Sequence, residues 1–230
     1  MAYPNLNVYF ETSKKVRGGK FVWFGDSNGE ERGNTLLGST IANPPKGFGY
    51  LYAAQLYQYN MGEEGYIFRS FAVKEASAID SKIIVLNGDG YSDLPEVGMI
   101  LMIAPTLSTG TGQSGKVTSV VYDSTNEKFT VTLDTAIGAL TTSSIIVAAI
   151  GSGTDDGEAS ATATVLVPNP NTFIEADTEL MPTNGAYGIT NVNYSISTVY
   201  KKQAFTKRMQ PLPQYVLAKN RSYIDGIFWI

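Results

Sequence analysis

The 230-residue chain reads as mainly β: a small antiparallel barrel or sandwich with long extended N- and C-terminal arms. Three observations predict this. Short apolar runs recur at roughly ten-residue spacing between residues 81 and 180, with turn-forming residues between them. One run, Lys128–Leu133, alternates Phe129, Val131 and Leu133 with Lys128, Thr130 and Thr132, the period-2 pattern of a half-buried strand. No helix-length periodic segment appears in this stretch. The implied organisation is an aromatic, glycine-rich N-terminal arm or docking segment over 1–80, a β-barrel or sandwich domain over 81–180, and a C-terminal strand and extended arm over 181–230.

The first 80 residues are dense in glycine and aromatics, from Tyr3, Tyr9 and Phe10 through Phe21, Trp23 and Phe24 to Tyr57, Tyr66, Phe68 and Phe71. Turn signals break them at Arg17-Gly18-Gly19, Gly25–Gly29 and Asn43–Gly47. Phe21–Phe24 is a short strand. Tyr50, Ala53, Ala54 and Tyr57 fit one helical stripe, and an aromatic strand fits equally well. So much aromatic surface must be covered by the rest of the chain or by another subunit. In the middle, strands are expected at Lys82–Asn87, Gly98–Ala104, Lys116–Tyr122, Lys128–Leu133, Ser144–Ile150, Ala161–Val167 and Thr172–Ala176. The polar connection Asp123–Glu127 suits a hairpin. Beyond residue 180, Asn191–Tyr200 reads as a strand and Gln214–Asn220 as one helical turn. Pro211-Leu212-Pro213 between them favours extended chain. The apolar Gly226–Ile230 needs docking, on this or a neighbouring subunit.

Composition removes whole classes of chemistry. The chain has no cysteine and no histidine. Disulfides, thiolate nucleophiles, Ser-His-Asp arrangements and His- or Cys-based zinc sites are therefore excluded. Carboxylate and lysine chemistry and oxygen-ligated cations remain allowed. No segment has the ~20 apolar residues a membrane span needs; the longest apolar runs are Met99–Ala104 and Ile145–Ile150. The N-terminus reads as neither a basic n-region nor an apolar h-region, so the Asn193 and Asn220 sequons are not read as glycosylation sites. Net charge is −4, but residues 1–46 carry six basic and four acidic side chains, residues 47–180 five and sixteen, and residues 181–230 six and one. Basic ends flank an acidic body, which points to arms lying on an acidic protein surface. Nucleic acid is not expected as a partner, because the basic clusters are small and the body would repel phosphate.

Three stretches look like sites. Gly110, Gly112 and Gly115 match G-x-G-x-x-G, and Gly110, Gly115 and Lys116 match a phosphate-binding loop up to Val117, where a Ser or Thr would hold Mg²⁺. Such a loop must open a helix; here a strand follows, so a glycine-rich loop between antiparallel strands is expected. Asp155-Asp156-Gly157-Glu158 lacks the alternating spacing of a Ca²⁺ loop, and Asp89, Asp93 and Glu96 form a looser acidic cluster. No catalytic, cofactor-binding or metal-ligating residue is assigned, and no cofactor is expected. A carboxylate pair for glycoside hydrolysis depends on spatial separation alone, so the sequence leaves it open.

A small β domain between long aromatic arms resembles the auxiliary (head decoration) proteins and head-fibre base proteins of tailed-bacteriophage capsids. The resemblance rests on the tyrosine-rich N-terminal segment, on the Gly115–Ala136 hairpin, and on the C-terminal Pro213-Gln214-Tyr215-Val216-Leu217 and Ile224–Ile230 stretches. It implies a non-enzymatic structural protein on the capsid exterior, assembled in the host cytoplasm. It also implies dimers or trimers bound to the major capsid protein or other virion proteins, with no membrane. The alternative is a carbohydrate-binding or host-recognition fibre or tail module, since Tyr and Trp stack well on sugar rings.

Overall fold

In the computed structural model, residues 55–58, 65–89, 92–151, 158–171, 174 and 209–218 are described with their side chains, together with the backbone of the remaining strands and of the helix end. The strands are β1 (Trp23–Phe24), β2 (Glu31–Leu37), β3 (Gly49–Leu51), β4 (Leu56–Gln58), β5 (Tyr66–Ile67), β6 (Ser70–Glu75), β7 (Ile83–Asn87), β8 (Ile100–Ile103) and β9 (Thr111–Gly112). They continue as β10 (Ser114–Asp123), β11 (Lys128–Leu133), β12 (Ile145–Ile150), β13 (Ala163–Val165), β14 (Thr172–Ile174), β15 (Thr178–Leu180), β16 (Asn193–Val199) and β17 (Gln203–Ala204). Among the described residues one helix, α1 (Gln214–Tyr223), follows them. The protein is mainly β.

Six strands close on themselves. The order β6-β7-β11-β10-β8-β12 is completed by pairing of β12 with β6, through Ile145–Ala72, Ile146–Phe71 and Val147–Ser70. Every pairing is antiparallel. The structure is therefore a barrel rather than a sandwich. β8, β10 and β11 run as a meander and β12 returns beside β8, a Greek-key order. Closure needs strong twist, and register shifts between Val73 and Glu75 and between Val117 and Ser119 supply it. Phe71, Val73, Ile84, Leu86, Leu101, Val117, Phe129, Val131, Leu133 and Ile146 fill the interior, with Ile137 and Leu140 packed against them. The ring spans Ser70 to Ile150 and so takes β6 from the stretch assigned to the N-terminal arm.

Two strands, β8 and β12, are apolar on both faces. Leu101 and Ile146 point into the barrel, whereas Ile100, Met102, Val147 and Ala149 belong to a second core outside it. Leu56 and Phe68 come to this core from the N-terminal side; Ala163, Val165 and Val167 come from β13 and the residues after it. Met209, Tyr215 and Val216 come from the C-terminal side. Phe68 meets Tyr215 edge-on, with ring centroids 6.4 Å apart. The Ser70 hydroxyl donates to the Pro211 carbonyl at 2.6 Å. The inner ends of both flanking segments thus pack on their own barrel.

Further out, the two flanking segments pair with each other. β1 pairs β17 (Trp23 with Ala204), β2 pairs β16 (Glu31 with Val199), β3 pairs β15 (Gly49 with Leu180) and β4 pairs β14 (Leu56 with Phe173). The pairings are nested, and their register drifts by no more than three residues from one end to the other. β16 also pairs β14, so this antiparallel ribbon folds over into a five-stranded sheet of order β2-β16-β14-β4-β5. The Tyr50–Tyr57 stripe is strand at both ends, in β3 and β4.

Gly115 shows how tightly the barrel is built. A Cβ there would lie 2.3 Å from the Thr135 carbonyl oxygen and 3.1 Å from Leu133 Cβ. Neither a backbone carbonyl nor a buried Leu can move aside cheaply. Gly115→Ala is expected to cost about 2 kcal/mol of stability. Gly112→Ala, where the nearest atom is the far end of the unbranched Met102 side chain, Cε at 3.0 Å, should change it by under about 0.5 kcal/mol. Urea unfolding of the two variants measures the contrast.

Candidate functional site

The glycine-rich stretch 110–117 comprises β9 and the start of β10, and no helix opens from it. Its backbone is spent on neighbours. Gly112 and Thr111 pair with Ala163 and Thr164, and Gly115 and Lys116 pair with Leu101 and Ile100. The Lys116 amide donates to Asp134 Oδ1 at 2.7 Å, and its ammonium sits 2.9 Å from Glu158 Oε1. Val117 is buried in the barrel interior. Gly110 is required for packing, since a Cβ would lie 2.6 Å from Pro105 Cβ. This is strand and loop, without the helix N-terminus a phosphate cradle needs. Of the Asp155–Glu158 run, Asp155, Asp156 and Gly157 lie outside the described residues, and Glu158 is the partner of Lys116.

The acidic cluster after β7 divides into two. Asp89 turns back locally, accepting from Asn87 Nδ2 at 2.7 Å and from the Ser92 amide and hydroxyl at 3.0 and 2.9 Å. Asp93 and Glu96 converge instead on Arg69: Nε lies 2.7 Å from Asp93 Oδ2, and Nη2 2.9 Å from Glu96 Oε1. The same Nη2 donates to the Leu94 carbonyl at 2.8 Å. The side chains of Arg69 and Asp93 are only 4% and 2% exposed. One guanidinium thereby gathers two carboxylates and a carbonyl, the fork geometry at which arginine excels. Among the described residues no group of three or more carboxylates is arranged to hold a metal ion.

Sequence reading noticed Asp93 and Glu96 and missed Arg69. A signal was present: Arg69 is the sole cation between Lys46 and Lys74, inside the apolar run Tyr66–Val73. A charge in such a run must be buried with a partner or break the element.

Two further carboxylates, Asp123 and Glu75, hold a turn and a strand pair together. Asp123 closes the β10–β11 turn, accepting from the Thr125 and Asn126 amides and Asn126 Nδ2. The Asn126 bonds hold its carboxyl below the usual range. Glu127 takes the left-handed conformation there (φ 48°), and the Lys74 ammonium caps the Asn126 and Glu127 carbonyls. Glu75 pairs with Lys128 at 2.8 Å. A depression of about 330 Å³, where α1 begins beside β8 and β12, is walled by Ile103, Pro105, Thr106, Ser143, Ser144 and Leu212 and carries no ionisable side chain. The described aromatics are core: Tyr57, Phe68, Phe71, Phe129 and Tyr215 are buried. Tyr122 leans on Phe129 at 4.7 Å while donating to the Gly88 carbonyl.

The basic clusters Lys14–Arg17, Lys201-Lys202 and Lys207-Arg208, and the apolar ends Tyr3–Tyr9 and Phe228–Ile230, lie outside the described residues. No helix among the described residues is long and apolar enough to cross a membrane. No known protein family matches the chain, and no curated protein matches it.

Two buried groups give measurable consequences. Arg69→Met strands Asp93 without its cation and is expected to lower stability by about 3–5 kcal/mol, whereas Arg69→Met with Asp93→Leu should recover most of that loss. Thermal and urea unfolding of the single and double variants check this. Tyr215 is buried among apolar groups, and its hydroxyl has no hydrogen-bond partner among the described residues. Burial pushes its pKa well above the ordinary tyrosine value. The unfolded chain ionises near pH ~10 while the folded one stays neutral, so this part of the stability is complete below that pH and falls as pH rises above it. Tyr215→Phe should be neutral or stabilising at pH 7 and should blunt the loss between pH 8 and pH 11, read by urea unfolding against the wild type.

Proposed function

We propose that this chain is a non-catalytic virion structural protein of a tailed bacteriophage. In this reading it decorates or stabilises the capsid, or forms the base of a head fibre, by binding capsid subunits as a homo-oligomer. One observation supports the non-catalytic part: among the described residues, those that most resembled a site are engaged by the fold. Lys116 is held by Glu158, and Asp93 and Glu96 are held by Arg69. The virion part rests on the resemblance of the N-terminal segment, the Gly115–Ala136 hairpin and the C-terminal stretch to head decoration and head-fibre proteins.

The paired flanks refine how docking would work. Residues 55–58 and 65–69 on one side, and 209–218 on the other, cover the chain's own barrel. Between them and the ends, the N- and C-terminal segments hold each other. Contact with a capsid then falls to the basic, aromatic stretch 1–22, to the apolar stretch 224–230, and to the outer barrel surface. Exposed Ile83 and Val121 flank the outward threonines of β11 on that surface.

Co-sedimentation with mature capsid shells tests the proposal. The protein should saturate the shells at a fixed ratio to capsid subunits. Deleting residues 1–22 should weaken binding at least tenfold, and raised salt should weaken it further. Absence of binding to shells at micromolar protein would overturn the reading.

A further inference from the structure

The five-stranded sheet has two unequal edges. β5 is two residues long. β2 is seven, and it is paired along its whole length, without a register shift, to β16 on one side only. Among the described residues no strand pairs with its other side. Proteins blunt such edges with proline, bulges or charges spread along the strand. β2 has no proline and no bulge. Its two charges, Glu31 and Arg32, both stand at its first end, and Gly33–Leu37 carries none. A long, regular edge that no described residue guards is a template for another strand, bound through main-chain hydrogen bonds.

We infer that β2 is the dimerisation edge of this protein, pairing antiparallel with β2 of a second copy. The strand can pair with its own copy without repulsion. A two-fold axis at Asn34 sets Glu31 opposite Leu37, Arg32 opposite Leu36 and Gly33 opposite Thr35, so no charge stands opposite its like. An edge-to-edge antiparallel pair is two-fold by construction, the commonest symmetry of homo-oligomers, and it selects a dimer over a trimer. It joins two five-stranded sheets into one of ten. The inference deepens the homo-oligomeric part of the proposed function and rests on that reading.

The test uses the full chain and exploits its lack of cysteine. Light scattering should give twice the mass of one chain. In the Asn34→Cys variant the two introduced thiols face each other across the axis, within the Cα separation a disulfide spans. Mild oxidation should convert most of the protein to a covalent dimer. A Val121→Cys control, on the exposed barrel surface, should not cross-link. Leu36→Lys, which sets a second cation opposite Arg32, should weaken dimerisation at least tenfold; Leu36→Glu, which sets an anion there, should not. A monomer, a trimer, or a dimer in which Asn34→Cys cross-links no faster than Val121→Cys overturns the inference. Capsid co-sedimentation is read separately. Binding by a protein whose edge test fails leaves the virion reading standing, and a β2-linked dimer that ignores capsids removes that reading alone.

Discussion

The structure depends on the burial of β8 and β12 on both faces. A barrel strand ordinarily shows one face to the interior and one to water, and its sequence alternates accordingly. Ile100–Ile103 and Ile145–Ile150 do not alternate; they are apolar throughout. Leu101 and Ile146 satisfy the barrel, which leaves Ile100, Met102, Val147 and Ala149 needing cover. Each such side chain is worth about 1.5–3 kcal/mol when removed from water. That surface is what brings Phe68, Val165, Met209 and Tyr215 back onto the barrel, and so fixes where both flanking segments leave it.

Arg69 sits just before β6, in the stretch that joins the two cores. Its neighbour Phe68 packs in the outer core, and Ser70 ties β6 to Pro211. Its carbonyl accepts the Ala148 amide at 3.1 Å from β12. Its guanidinium draws in the 93–96 loop through two carboxylates. A buried ion cluster of this kind is weak evidence for stability, because desolvation offsets most of its attraction. What it does show is how the loop is held: its observed placement brings both carboxylates and the Leu94 carbonyl onto one guanidinium. The acidic residues that resembled a cation site are explained by that pairing.

The nested ribbon ties the two ends of the chain to a common fate. Trp23 pairs with Ala204 and Glu31 with Val199, so neither segment forms its strand without the other. These pairings are among the most distant in sequence, and distant pairings form late and slowly.

The sequence made legible the β class, the positions of nearly all the barrel strands and the hairpin at Asp123–Glu127. Local alternation and turn chemistry are sufficient for those, as Phe129, Val131 and Leu133 illustrate. It also determined that phosphate-loop geometry fails at Gly110–Val117, because the strand that follows is legible locally. It could not give β6, whose short run Ser70–Glu75 lies beside aromatic, glycine-rich chain and becomes a barrel strand only by pairing with β12. Nor could it give β2, where Gly33 and Asn34 are poor strand formers and the pairing with β16 supplies what propensity lacks. Closure of the ring, the second core and the capture of Asp93 and Glu96 by Arg69 were decided by tertiary structure. Each depends on which distant residues meet, and local periodicity carries no information about that.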